Sequence, residues 1–189
     1  MYTNYGDKWL GDATFDPVFA ELNRRSATLF VHPISANCCK SLLPNIADTT
    51  IEWQTDTTRA IANLLFSGTT TRYPNVRIIF SHGGGTMPYL VERFTAAASN
   101  IKYKEYFPHG FTGALNNMFF DTAWTSNAVA MGALRQVAPL THILLGSDYP
   151  ARSLVDHVKG LQECGVFTAS ELKQIESENA LTLFPRLRT

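Results

Sequence analysis

The chain has 189 residues, 45% of them apolar and 17% charged, with a formal charge of zero. That is enough for one ordinary domain with a sizeable core, and the balance excludes a disordered chain. No Lys/Arg cluster points to nucleic acid or an anionic membrane surface, and no apolar run approaches the roughly 18 residues of a membrane span.

The opening MYTNYGDKWLGD lacks the charged and apolar regions of a signal peptide. Asp16–Arg25 (DPVFAELNRR) has helical spacing, with Asp16 as N-cap and Pro17 at the first helical position. The strand Thr28–Val31 (TLFV) follows and ends at His32-Pro33. A long loop, Ile34–Thr50, leads to a helix over about Thr57–Thr71, which Tyr73-Pro74-Asn75 terminates. Val76–Phe80 (VRIIF) is the next strand, then His82 and three glycines, then a helix over Met87–Ala98. Asn117–Asp121 (NMFFD) reads as a strand and Ser126–Val137 as a helix capped by Ser126. Ile143–Gly146 (ILLG) is the fourth strand, closed by Ser147-Asp148-Tyr149-Pro150. Two helices finish the chain, Leu154–Glu163 and Ala169–Asn179, the second opening on a Thr168–Glu171 capping box. Cys38, Cys39 and Cys164 are odd in number. They read as packing residues without chemistry, the adjacent pair not bonded to each other, and fit a reducing cytoplasm.

The strands are short and apolar without clean alternation, as parallel strands covered by helices are. Alternation of strand and helix implies βαβ units, in a doubly wound sheet or a (β/α)8 barrel. No GxGxxG or GxxxxGK[ST] is present, so the doubly wound nucleotide-binding reading is weak.

Each strand delivers a metal ligand or acid–base group at its carboxyl end: His32, His82, Asp121 and Asp148. In a parallel barrel those ends share the face that carries the active site. Singly, each has a plain structural explanation, such as a satisfied histidine or a turn-forming aspartate. Jointly, His32, His82 and Asp148 read as functional, whereas Asp121 reads as capping the chain that leaves its strand. The glycines after His82 allow close approach to its ring. His109, His142 and His157 read as structural.

His32-Pro33 after an apolar strand, FSHGGG with His82, and LLGSDYP with Asp148 are together similar to the amidohydrolase-related metal enzymes. The branch is that of aminocarboxymuconate semialdehyde decarboxylase and related non-oxidative decarboxylases. The resemblance runs from YGDKWLGDATFDPVFAELNRR to ENALTLFPRL. It implies a (β/α)8 barrel with one divalent ion, zinc first and manganese second. His32 and Asp148 then correspond to metal ligands, and His82 to the general acid/base beside the metal. The family's His-x-His or Glu-x-His pair of the first barrel strand is missing. Only four strands are legible, and a typical barrel takes about 250 residues. Residues 1–189 are therefore expected to be a single α/β domain, the C-terminal portion of such a barrel. It would hold about four parallel strand–helix units plus a C-terminal helix, with TNYGDKWLGD as a loop whose preceding strand is absent. Open strand edges predict self-association or pairing with an N-terminal half. Two ligands in place of four predict weak zinc binding.

The resemblance implies metal-dependent decarboxylation of a small aromatic or unsaturated carboxylic acid. Trp53, Trp124, Tyr149 and Arg152 are the candidates for the substrate-pocket rim. A metal-dependent lactonase or amidase on the same scaffold is the second reading. An inactive fragment or binding protein is the third, and for the isolated chain inactivity is expected ahead of turnover.

Overall fold

The computed structural model describes residues 1–188. Backbone contacts divide them into two compact units, Met1–Phe80 with Gly84–Met118, and Ser81–Gly83 with the residues from Phe119 onward.

The first unit opens with a hairpin that the sequence reading did not foresee. β1 (Asn4–Tyr5) pairs antiparallel with β2 (Lys8–Trp9). The turn residues Gly6 and Asp7 are both left-handed, at φ 59° and 62°, which suits a two-residue hairpin. α1 (Asp16–Arg24) follows, with Asp16 as its first helical residue rather than its cap. β3 (Thr28–Val31) runs parallel to β4 (Arg77–Phe80), in register from Thr28 against Arg77 to Val31 against Phe80. Residues 1–3 run parallel to the end of β3: Met1 N donates to Phe30 O, His32 N to Met1 O and Thr3 N to His32 O.

α2 (Asp48–Phe66) starts nine residues before the predicted helix. Its threonine-rich first half has poor intrinsic propensity. The buried face lies in the second half, over Asp56, Thr57, Ala60, Ile61, Leu64 and Leu65, and the first half extends that helix toward its N-terminus. Left-handed Gly68 separates it from α3 (Thr69–Arg72). A 3₁₀ turn over Met87–Leu90, containing Pro88, leads into α4 (Val91–Ala98), and α5 (Gly110–Ala114) follows. Val31, Ile61, Leu64 and Phe80 are fully buried, each contributing roughly 1.5–3 kcal/mol. Phe30, in the middle of β3, is 47% exposed.

Cys38 and Cys39 are joined by a disulfide, against the expectation of unbonded thiols. They are adjacent in a 3₁₀ turn over Asn37–Cys39, with Cα atoms 3.8 Å apart, so both sulfurs lie within bonding reach. Cys164 is free.

In the second unit the end of β5 (Met118–Asp121) runs parallel to β6 (Ile143–Leu144), Phe120 opposite Ile143 and Asp121 opposite Leu144. β6 is two residues shorter than predicted because Leu145 N leaves the ladder and donates to Ile175 O. α6 (Ala128–Val137) is capped by Asn127, not Ser126. Asn127 has the extended backbone of a cap, and its side-chain oxygen accepts from Ala130 N at 3.0 Å. α7 (Leu154–Glu163) matches its predicted bounds and is capped by Ser153. α8 (Ala169–Lys173) carries the predicted Thr168–Glu171 capping box. A π turn over Gln174–Glu178 links it to α9 (Asn179–Leu183). That turn buries Ile175 and aims Asn179 Nδ2 at the Leu140 and Ile143 carbonyls, both at 2.8 Å.

Candidate active site

His82 follows β4 and begins a run of left-handed residues, His82 to Gly85, with φ between 56° and 77°. Only glycine adopts that conformation without cost, which explains the three glycines. A β-carbon on Gly85 would also collide with the Gln54 carbonyl oxygen. His82 itself is not a glycine, and two further residues share its strain. Among the described residues, six non-glycines have positive φ, and three of them are His82, Trp124 and Asp148. Backbone of this kind costs on the order of 1–3 kcal/mol per residue and gathers at functional sites.

In the second unit Asp148 links the other two. The buried His82 ring places Nε2 3.8 Å from Asp148 Oδ2. The Trp124 indole N–H donates to the same Asp148 oxygen at 2.9 Å. The Arg152 guanidinium lies over the Trp124 ring, 5.4 Å from its centre, a cation–π contact. Asp121 anchors the cluster from below: Oδ1 accepts from His82 N at 2.8 Å and from Ala123 N at 3.0 Å. Burial pushes its carboxyl up to about 6, against the pull of those two N–H groups and with a further push from Asp148. Sequence reading gave Asp121 only a capping role, and its strand-end position was the sole signal of more. Tyr149 stands apart, its side chain 78% exposed.

In the first unit His32 meets Trp53 edge-on, with ring centres 5.4 Å apart. Trp53 Nε1 donates to Ser35 Oγ at 3.1 Å. Trp53 also lines a cleft of about 630 Å³ with Ser35, Leu43, Ile46 and Asp48. His32 Nδ1 lies 2.9 Å from Pro33 O. A carbonyl only accepts, so Nδ1 is the donor in this contact. Such a backbone contact typifies metal-binding histidines. The donor chemistry of an imidazole, like that of the Asp148 carboxylate in the second unit, suits a divalent ion.

Of the histidines read as structural, His157 is fully buried with Nε2 2.9 Å from Thr122 Oγ1, and His142 stacks on Phe119. Burial lowers the His157 pKa, with a smaller push from Arg152. The residues that sequence reasoning missed altogether are Thr3, Asn4, Trp9 and Asp56. Asp56 is buried and accepts from all three of the others.

The chain is 34% identical over 196 residues to the 6-methylsalicylic acid decarboxylase of Penicillium expansum, covering 100% of this chain and 60% of that protein. It is 25% identical over 159 residues to the 2-amino-3-carboxymuconate-6-semialdehyde decarboxylase of Dictyostelium discoideum, covering 78% and 42% of the two. The chain thus spans about three-fifths or less of the length of these relatives. The crystal structure of 5-carboxyvanillate decarboxylase from Novosphingobium aromaticivorans, complexed with manganese and 4-hydroxy-3-methoxy-5-nitrobenzoic acid, superposes with a TM-score of 0.83 at 19% identity. That match covers 98% of this chain and 55% of the other, so the fold is a partial (β/α) barrel. The family model described as amidohydrolase matches residues 2–186. With decarboxylases of this superfamily among its relatives, the chain belongs to the amidohydrolase family.

Proposed function

We propose that the protein carrying this chain is a metal-dependent, non-oxidative decarboxylase of a small aromatic or unsaturated carboxylic acid. His82 is its general acid/base, and His32 and Asp148 are metal ligands. The observation that carries this reading is the buried His82 imidazole held 3.8 Å from the Asp148 carboxylate on left-handed backbone. The decarboxylase relatives supply the reaction class.

An imidazole and a carboxylate suit zinc, with manganese, the ion of the carboxyvanillate enzyme, as the alternative. A bound ion would polarise the substrate's oxygens as a Lewis acid. His82 holds a proton within reach of Asp148 and gives it to the carbon that loses CO2. The carbon–carbon bond breaks, its electron pair stays on the substrate carbon, and that proton takes the pair. Arg152 grips the carboxylate in a bidentate pair, and Trp124 and Trp53 offer flat apolar faces, with Tyr149 at the rim. Residues 1–189 act as a single domain that self-associates or pairs with further barrel strands; the exposed Phe30 on β3 supports this. A cytoplasmic location belongs to the same reading; the free Cys164 is in keeping with it and the Cys38–Cys39 disulfide is not.

The test is CO2 release from 6-methylsalicylate and other hydroxybenzoates, with and without added zinc or manganese, on the chain alone and on a full-length protein. The His82→Ala full-length protein should lose about 10²–10⁴-fold in rate. Hydrolysis or lactone opening without CO2 release would refute decarboxylation.

A further inference from the structure

Asp56 is a carboxylate in the middle of α2 with 1% exposure, and no part of the proposed chemistry uses it. Its oxygens are fully engaged. Thr3 Oγ1 and Asn4 Nδ2 donate to Oδ2, the latter at 2.8 Å, and Trp9 Nε1 donates to Oδ1 at 2.6 Å. Arg59 Nη1 lies 3.9 Å from Oδ1.

Two of those donors continue to the segment around His32. Thr3 Oγ1, having given its proton to Asp56, accepts from Ile34 N at 3.3 Å. Thr3 N donates to His32 O at 3.1 Å. Asn4 Nδ2 donates to Ile34 O at 3.1 Å as well as to Asp56. The carboxylate is thus bonded, through two short side chains, to the backbone of Ile34, while the backbone N–H of Thr3 holds the His32 carbonyl on the other side of Pro33. Trp53, three residues before Asp56 on α2, packs against the His32 ring. One helix therefore holds the ring from its edge and the backbone from below.

We propose that Asp56 is a positioning residue for His32, fixing the orientation in which that imidazole binds metal. This rests on His32 being a metal ligand, as argued above. Outer partners of metal ligands set affinity because a ligand that must be ordered on binding binds more weakly.

The test is the Kd for Mn²⁺ of the chain, read by electron paramagnetic resonance, with melting curves showing each variant folded at the assay temperature. Asp56→Asn keeps the shape but has one acceptor oxygen for three donors, and should weaken the Kd about 10-fold. Thr3→Val cuts one link without touching the carboxylate and should weaken it about threefold or more, below the roughly 10–100-fold of a fully lost outer partner because the Asn4 link remains. Leu64→Ala, in the buried face of the same helix, lowers stability by cavity formation and should leave the Kd within about twofold. Thr3→Val at the wild-type Kd would overturn the inference. So would Asp56→Asn at the wild-type Kd, or Leu64→Ala weakening binding as much as Asp56→Asn. His32→Ala at the wild-type Kd, or a wild-type chain that binds no Mn²⁺ at millimolar concentration, would instead overturn the metal reading on which it rests.

Discussion

Replacing Gly146 by alanine tests how tightly the floor of the candidate site is built. Gly146 lies just past β6, and its φ is not left-handed, so the backbone itself accepts alanine. Space does not. A β-carbon there would lie 2.8 Å from Asp121 Cγ and 2.9 Å from Asp121 Oδ2. Carbon contacts are most favourable near 3.5–4.0 Å, so Asp121 must retreat by about 0.7 Å. It cannot do so freely, because Oδ1 is bonded to His82 N at 2.8 Å and Ala123 N at 3.0 Å. Overpacking costs about 1–3 kcal/mol. Losing one bond from a backbone N–H to this buried acceptor adds about 1–2 kcal/mol. The stiffer unfolded chain returns about 0.4–1 kcal/mol. The net expectation is a destabilisation of about 1–5 kcal/mol. Gly132→Ala is the control. It sits inside α6 with nothing within 4 Å of the added carbon, so it should stabilise by roughly 0.5–1 kcal/mol. Urea unfolding followed by circular dichroism, with the slope compared between variants, reads both. A Gly146→Ala protein as stable as wild type would refute the claim that Asp121 is pinned.

Trp124→Phe keeps an aromatic ring beside Arg152 and deletes the indole N–H that donates to Asp148. Because Trp124 is 53% exposed, stability should stay within about 0.5 kcal/mol. Turnover of a full-length enzyme should fall about 10-fold in kcat, as for a lost outer partner, and an unchanged kcat in steady-state kinetics would remove Trp124 from the site. Fully buried His157 has its pKa lowered by burial, so the folded state takes up its proton later than the unfolded state as pH falls. The stability tied to its neutral form is complete above the ordinary histidine pKa and is lost as pH drops from there through the lowered value. Unfolding midpoints between pH 8 and 5 should therefore fall more steeply for wild type than for His157→Gln, and parallel curves would contradict this.

The sequence determined the parts that local chemistry fixes. β3 and α7 have their predicted bounds because an apolar run between turn formers, or a helical pattern after a capping serine, needs no distant partner to be recognised. The Thr168–Glu171 box formed as expected for the same reason. Candidate residues His82 and Asp148 were legible from their places after strands. Tertiary structure decided the rest, where partners lie far apart along the chain. The first half of α2 is a poor helix former that continues a helix whose buried face lies in its second half, from Asp56 to Leu65. β6 stops early because Leu145 is bonded to Ile175, 30 positions away. The short pairing of residues 1–3 with β3 depends on partners about 30 positions distant. Asp56 read as one more polar residue on a helix. Its burial follows from donors at positions 3, 4 and 9, more than 45 residues earlier, that the fold brings to its two oxygens. Nor does any local pattern reveal left-handed backbone at a histidine, a tryptophan and an aspartate. Surrounding contacts must over-determine such conformations, and those contacts exist only once the chain has folded.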